Sequence, residues 1–373
     1  MNGKPFRILC IDGGGIRGII PAVWLQKLEE RLEERDTSLL ECFDLICGTS
    51  TGSIVGAAVA NKVDLKRVID LFNDEGPAIF SRSRFKKAIG RLVPAGLLSA
   101  RYGSERLKQA LEDVLGNARL RDIEPHVHLC IPAYDIGNRR TFYFKSYSEN
   151  TARNEIWKAC LASSAAPTYF PAQRVTLASG NKRYLIDGGV SANNPSGLGL
   201  AEGIAILKKK SLKDTEQDRD IQLISMGTGS STRNLTKKLL GDKGAVFWAS
   251  AILDVMFDGS SDLNDYMTKQ ILDNKSYVRL QFDLKSGLGS DDLDNASKHN
   301  LEELCTAAEH YIERGDGEDR FEQIVAMLTK RTRGRRTAAS RKDDPPKRNG
   351  PSKDRTVVPL RPPPSQSPRE VAS

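Results

Sequence analysis

Two spacings of apolar residues alternate through the first sixty positions. Phe6–Ile11 is a short apolar run that ends in Asp12-Gly13-Gly14-Gly15, the pattern of a buried strand. Residues 18–35 then place Ile19, Ile20, Val23, Trp24, Leu28 and Leu32 at helical spacing, with acids and bases on the opposite face. Residues 43–47 predict a second buried strand. Residues 53–60, almost wholly small or apolar, predict a helix packed inside the domain. Strand, turn and helix twice in succession predict an α/β fold with a mostly parallel central sheet and helices on both faces.

The alternation continues more loosely. Helices are expected at 105–115, 155–162 and 197–208, and strands at 127–134, 141–147, 183–186 and 221–226, the last ending in Gly227-Thr228-Gly229. Residues 245–330 read as mainly helical, with one strand at 277–282. Residues 331–373 carry eight of the seventeen prolines and few apolar residues, so they are expected to be disordered. The organisation expected is a core at 6–230, whose motifs span about 8–200, a mainly helical part at 231–330 packed on the same domain, and a basic, proline-rich tail at 331–373.

Charge changes the picture once it is located. The tail holds twelve Lys/Arg and four Asp/Glu, which leaves 44 of each sign in residues 1–330, so the formal net charge of +8 belongs to the tail. The six cysteines show no CxxC spacing and mostly lie in apolar runs. That argues against a zinc site or a disulfide framework and for reduced, buried thiols. The N-terminal residues show no charged-then-apolar signal segment, and the most apolar stretch, 54–60, is far short of the roughly 20 residues a spanning helix needs. The expectation is a cytoplasmic protein whose contact with membranes is peripheral.

Three motifs carry candidate chemistry. Asp12-Gly13-Gly14-Gly15-Ile16-Arg17-Gly18 lies at a strand-to-helix turn, where glycines let successive N–H groups converge on negative charge, a phosphate or an oxyanion. Gly13, Gly15 and Gly18 also satisfy the dinucleotide-binding GxGxxG, which makes a nucleotide-binding sensor or an NAD-type oxidoreductase the alternative reading. That motif calls for a carboxylate about 20 residues on. The acids near that spacing, Glu33, Glu34 and Asp36, fall at a charged helix end, which weighs against a nicotinamide cofactor. Gly48-Thr49-Ser50-Thr51-Gly52 is a GxSxG between a buried strand and a buried helix, the context of a nucleophile elbow rather than of a plain helix cap. Asp187-Gly188-Gly189 follows the apolar Tyr184-Leu185-Ile186 and precedes Asn193-Asn194-Pro195; alone it reads better as an Asp-Gly turn than as part of a site.

The base is open at this point. Of the four histidines, His126 and His128 lie at a strand start and His299 and His310 in the C-terminal helices, none in a Gly-rich turn. A carboxylate base has an ordinary pKa of about 3.9 and needs an apolar setting and strong oxyanion stabilisation to compensate.

Together, Asp12–Gly18, Gly48–Gly52, Asp187–Gly189 with Asn193-Asn194-Pro195, and Ser163-Ser164-Ala165-Ala166-Pro167 resemble the patatin-like phospholipase family over roughly residues 6–230. The resemblance implies that family's three-layer fold, Ser50 as nucleophile, Asp187 as the second member of a dyad, and an oxyanion hole from Gly13, Gly14 and Gly15 with Arg17 nearby. It implies hydrolysis of fatty-acyl esters of phospholipids or glycerolipids through an acyl-enzyme, with no metal or organic cofactor. A catalytically silent scaffold of the same fold is the other alternative. Within the family the opening residues look most similar to bacterial members, some of which are antiphage effectors switched on by a cyclic dinucleotide. Nothing in the sequence marks a nucleotide pocket. The partners expected are a phospholipid membrane surface, a cyclic dinucleotide activator if that role applies, and a further copy of the chain if it oligomerises; no specific nucleic acid is expected. Between Pro77 and Ser104 six basic residues interleave with apolar ones and no acid intervenes, a composition suited to an anionic membrane surface or to a core helix with a basic face.

Overall fold

A computed structural model describes residues 4–81, 100–211, 220–231, 245–285 and 288–329. Most of the basic stretch between Pro77 and Ser104, and the tail, lie outside the described residues. Strands β1 (Phe6–Ile11), β2 (Leu45–Gly48), β3 (His128–Asp135), β7 (Ile221–Met226) and β9 (Tyr277–Leu280) form the parallel part of one sheet. Strands β4 (Arg140–Lys145), β5 (Gln173–Thr176) and β6 (Lys182–Asp187) add antiparallel pairs beside it, giving the order β5-β6-β3-β2-β1-β7-β9 with β4 also on β3. A short pair, β8 (Ser230–Ser231) with β10 (Asp283–Leu284), lies apart. The α/β architecture with a mostly parallel central sheet is as the periodicity predicts.

Alternation in β1 explains the layering. Leu9 and Ile11 point to one face of the sheet, and Phe6, Ile8 and Cys10 to the other, all fully buried. The first face is covered by α1 (Ile19–Glu33), α2 (Thr51–Ala60), α3 (Leu65–Asp70), a π-turn at Leu71–Glu75 with α4 (Gly76–Ile79), α5 (Glu105–Leu115) and α6 (Ile156–Ser163). The second is covered by α7 (Gly189–Ala192) and α8 (Ser196–Ser211), with α9 (Ala245–Ile271) packed outside them. Helices α10 (Lys298–Ile312) and α11 (Gly315–Thr329) close on α1, where the Trp24 indole donates to the Ala308 carbonyl at 2.8 Å. Five cysteines are buried and Cys305 is half-buried.

One feature of β3 positions the site. Along the same edge β3 pairs first with β2, through Cys130, and then with β6, from Ala133 to Asp135. β2 runs parallel to β3 and β6 antiparallel, so their C-terminal ends point at one another across a gap beside Ile131 and Pro132. Pro132 fits there because its carbonyl faces the gap, accepting from Ser163 Oγ at 2.6 Å, and the N–H a proline lacks would face the same gap. Chain leaving β2 and chain leaving β6 therefore meet: Ser50 from one, Asp187 from the other.

Several short elements were not expected from the sequence, β5 and α3 among them. In β5 only Val175 is buried, and α3 is six residues long, so neither writes a legible period.

Candidate active site

Ser50 sits at the turn between β2 and α2 with φ 51° and ψ −127°, a strained conformation for a residue with a side chain. The flanking glycines permit the turn. A Cβ at Gly48 would overlap the Gly52 carbonyl, and one at Gly52 would overlap the carbonyls of Ile11 and Asp12. The Ser50 N–H donates to Ser163 Oγ at 2.9 Å, and the Ser53 hydroxyl donates to the Ser50 carbonyl at 2.5 Å. The backbone is thus fixed on both sides of the nucleophile candidate.

Ser50 Oγ donates to Asp187 Oδ2 at 2.7 Å, and the Gly189 N–H donates to Asp187 Oδ1 at 2.7 Å. Asp187 is fully buried; burial pushes its pKa up to about 7, against the lowering pull of the Ser50 and Gly189 hydrogen bonds. None of the histidines lines the cleft that holds these groups. Gly188 lies against the Pro132 carbonyl, and Gly18 ends the turn before α1 beside Thr51.

The glycine loop is placed next to Ser50, but its members do different work. The Gly13 N–H donates to the Asn193 carbonyl at 3.0 Å, so it is engaged and is not a free oxyanion donor. The Arg17 guanidinium is also spent inside the protein, donating to the Gly14 carbonyl at 3.3 Å and the Gly229 carbonyl at 3.1 Å. Both groups therefore brace the loop. The Gly14 and Gly15 N–H groups have no acceptor among the described residues. Gly15 takes φ +59°, and the Ile16 N–H beyond it donates to the Leu293 carbonyl at 2.9 Å.

Beneath the loop, Asp12 and Arg279 form a buried pair: Arg279 Nη2 to Asp12 Oδ2 is 2.6 Å and Nη1 to Oδ1 is 3.2 Å, with Nη1 also 2.6 Å from Ser225 Oγ. Burial pushes the Asp12 carboxyl up and the Arg279 guanidinium offsets part of that. The sequence pointed to Asp12 only as part of the glycine motif. Arg279 had one signal, the lone charge in the mostly apolar strand expected at 277–282.

A cleft enclosing about 600 Å³, open mouth included, runs from Ser50 and Asp187 between apolar walls that include Ile54, Leu71, Phe72, Ile79, Leu107 and Phe170. Its polar groups are few. The buried hydroxyls of Thr51 and Ser164 line it and have no hydrogen-bond partner among the described residues. Phe257 of α9 closes another side, a contact that no motif signalled. Among the described residues no group of His, Cys, Asp and Glu has the arrangement of a metal site, and no helix is long and apolar enough to cross a membrane.

Comparison with known proteins follows the same lines. The family model for patatin-like phospholipase matches residues 9–198. Patatin-like protein 1 of Oryza sativa subsp. indica is 32% identical over 350 residues, covering 83% of this chain and 82% of that protein. Patatin-like protein 3 of Arabidopsis thaliana is 32% identical over 358 residues, covering 84% and 82%. A Solanum tuberosum relative named probable inactive patatin-3-Kuras 1 is 30% identical and covers 87% and 91%. On the extent of the family match and of these identities, the chain belongs to the patatin-like phospholipase family, a family of lipid acyl hydrolases.

Proposed function

We propose that this protein hydrolyses fatty-acyl esters of phospholipids or glycerolipids through a Ser50–Asp187 dyad. The observation that carries the reading is the 2.7 Å hydrogen bond from Ser50 Oγ to a fully buried Asp187 at one end of an apolar cleft. A carboxylate with a pKa of about 7 accepts a proton far more readily than an ordinary aspartate does. As Ser50 Oγ bonds to the ester carbonyl carbon, Asp187 takes its proton and the carbonyl oxygen becomes an oxyanion. The Gly14 and Gly15 N–H groups, at a helix N-terminal turn, stabilise that charge. Collapse breaks the bond to the alcohol, whose oxygen receives the proton from Asp187, and the acyl group stays on Ser50. Water then attacks the acyl-enzyme, Asp187 takes its proton, and Ser50 leaves with that proton as the free acid forms. The acyl chain lies along the apolar walls, and the Thr51 and Ser164 hydroxyls are available to the ester or to the attacking water.

A family relative carries the words probable inactive in its name, so activity needs its own test. Wild type and Ser50→Ala are treated with a fluorophosphonate probe, and phospholipid vesicles incubated with each are analysed for free fatty acid. Labelling and release by wild type alone support the proposal; equal release by Ser50→Ala overturns it. Repeating the assay with cyclic dinucleotides tests whether an activator is required.

A further inference from the structure

The Gly227-Thr228-Gly229 turn lies outside the motifs assigned so far, yet it touches the glycine loop directly. The Thr228 hydroxyl donates to the Gly13 carbonyl at 3.0 Å, and both groups are buried. Its side chain also lies so close to the Gly14 Cα that a Cβ there would overlap it. Arg17 anchors the next carbonyl: its Nε and its backbone N–H donate to Gly14 O at 3.3 and 3.2 Å.

These two carbonyls matter because of peptide geometry. In a trans peptide plane the C=O of one residue and the N–H of the next point in opposite directions. Fixing Gly13 C=O fixes the Gly14 N–H, and fixing Gly14 C=O fixes the Gly15 N–H. Glycine is the residue whose peptides turn most easily, so without anchors the run would sample orientations that aim carbonyls at the oxyanion position. We infer that Thr228 is a positioning residue for the oxyanion hole: its hydroxyl holds the Gly13–Gly14 peptide with the Gly14 N–H turned toward the ester oxygen. The inference rests on the dyad reading above and deepens it.

The turn that carries Thr228 is itself held. The Gly227 N–H donates to the Leu280 carbonyl at 2.9 Å, the Gly229 N–H to Gln281 Oε1 at 2.9 Å, and Gly229 O accepts from Arg17. The hydroxyl therefore acts from a fixed support, and Arg17 links the two anchors into one frame.

The test compares Thr228→Val, which keeps the shape and removes the hydroxyl, with Thr228→Ser, which keeps the hydroxyl, using a soluble p-nitrophenyl acyl ester. An oxyanion donor removed outright costs roughly 100-fold or more in kcat, so a loosened donor is expected to lower kcat roughly tenfold. KM should stay within about twofold, because the contact acts in the transition state. Thr228→Ser should restore kcat to within about twofold of wild type, and a trifluoromethyl ketone that forms a tetrahedral adduct should lose affinity for Thr228→Val in step with kcat. An unchanged kcat in Thr228→Val, or equal loss in Val and Ser variants, overturns the inference. If Thr228→Val fails to fold, Thr228→Ser against Thr228→Ala at the same readouts decides it. Failure of the dyad reading would show separately, as activity that survives in Ser50→Ala.

Discussion

Ser50 Oγ and Asp187 Oδ2 stand 2.7 Å apart at the meeting point of two strands that run toward each other along one edge of β3. The nucleophile candidate and the base candidate are thus carried at the ends of sheet strands, and the distance between them is set by β3 rather than by a flexible loop. Asp187 is fully buried, and burial pushes its pKa up to about 7. Below that pH the carboxyl holds its own proton and cannot take one from Ser50. kcat/KM is therefore expected to fall about tenfold per pH unit below 7 and to level off above it. A pH–rate profile checks this; an acid limb centred near pH 4 would contradict it.

The same shift has a consequence for stability. Unfolded Asp187 titrates near 3.9 and folded Asp187 near 7, so folding binds a proton between those values and stability is lost as pH rises through the window. Asp187→Asn removes the titration. Relative to wild type, the variant is expected to gain on the order of 4 kcal/mol between pH 4 and pH 8 while being inactive. Urea melts at the two pH values measure the gain; a constant difference would sink the idea.

Strain at Ser50 yields a separate expectation. At φ 51° and ψ −127° a glycine relaxes where alanine cannot. Ser50→Gly should exceed Ser50→Ala in stability by about 1–2 kcal/mol, with neither variant labelled by fluorophosphonate. Chemical denaturation of the two proteins side by side is sufficient.

Gly52 faces the Ile11 and Asp12 carbonyls, whereas Gly103 faces open space. Gly52→Ala must separate β1 from α2 and is expected to cost more than about 3 kcal/mol; Gly103→Ala should lie within about 0.5 kcal/mol of wild type. Soluble yield and denaturation midpoints report both.

For Asp12 and Arg279, removing one partner strands a buried charge. Arg279→Met alone is expected to destabilise by about 3–5 kcal/mol, and adding Asp12→Asn to recover a substantial part of that. A double-mutant cycle with no coupling would show that the pair is not the unit it looks to be.

Much of this was legible because the chemistry sits where hydrophobic period breaks. β1 is apolar but for Arg7 and runs into Asp12-Gly13, β2 is apolar and ends in Gly48, and the breaks are the site. Asp187 was legible only through the family resemblance, because an Asp-Gly-Gly run after a strand reads by itself as a turn. The division of labour in the glycine loop was not, because whether Gly13 N–H is free depends on a carbonyl from Asn193, 180 positions away. Strand direction was hidden too: β6 alternates like any half-buried strand, and nothing in Tyr184-Leu185-Ile186 says that it runs against β3. Leu293, whose backbone carbonyl holds Ile16, leaves no side-chain signature at all.

The Asp12–Arg279 pair joins residues 267 positions apart, and the Ile16–Leu293 hydrogen bond spans still more. Seen in the order in which a ribosome makes the chain, Ser50, the glycine loop and Asp187 all emerge before Thr228, Arg279 and Leu293, which complete the fastening of the loop. A nascent chain ending near residue 200 carries every catalytic candidate together with Ser163 and Asn193, but lacks Thr228, Arg279 and Leu293. The full set of hydrogen bonds on the glycine loop can therefore form only once the chain has passed residue 293.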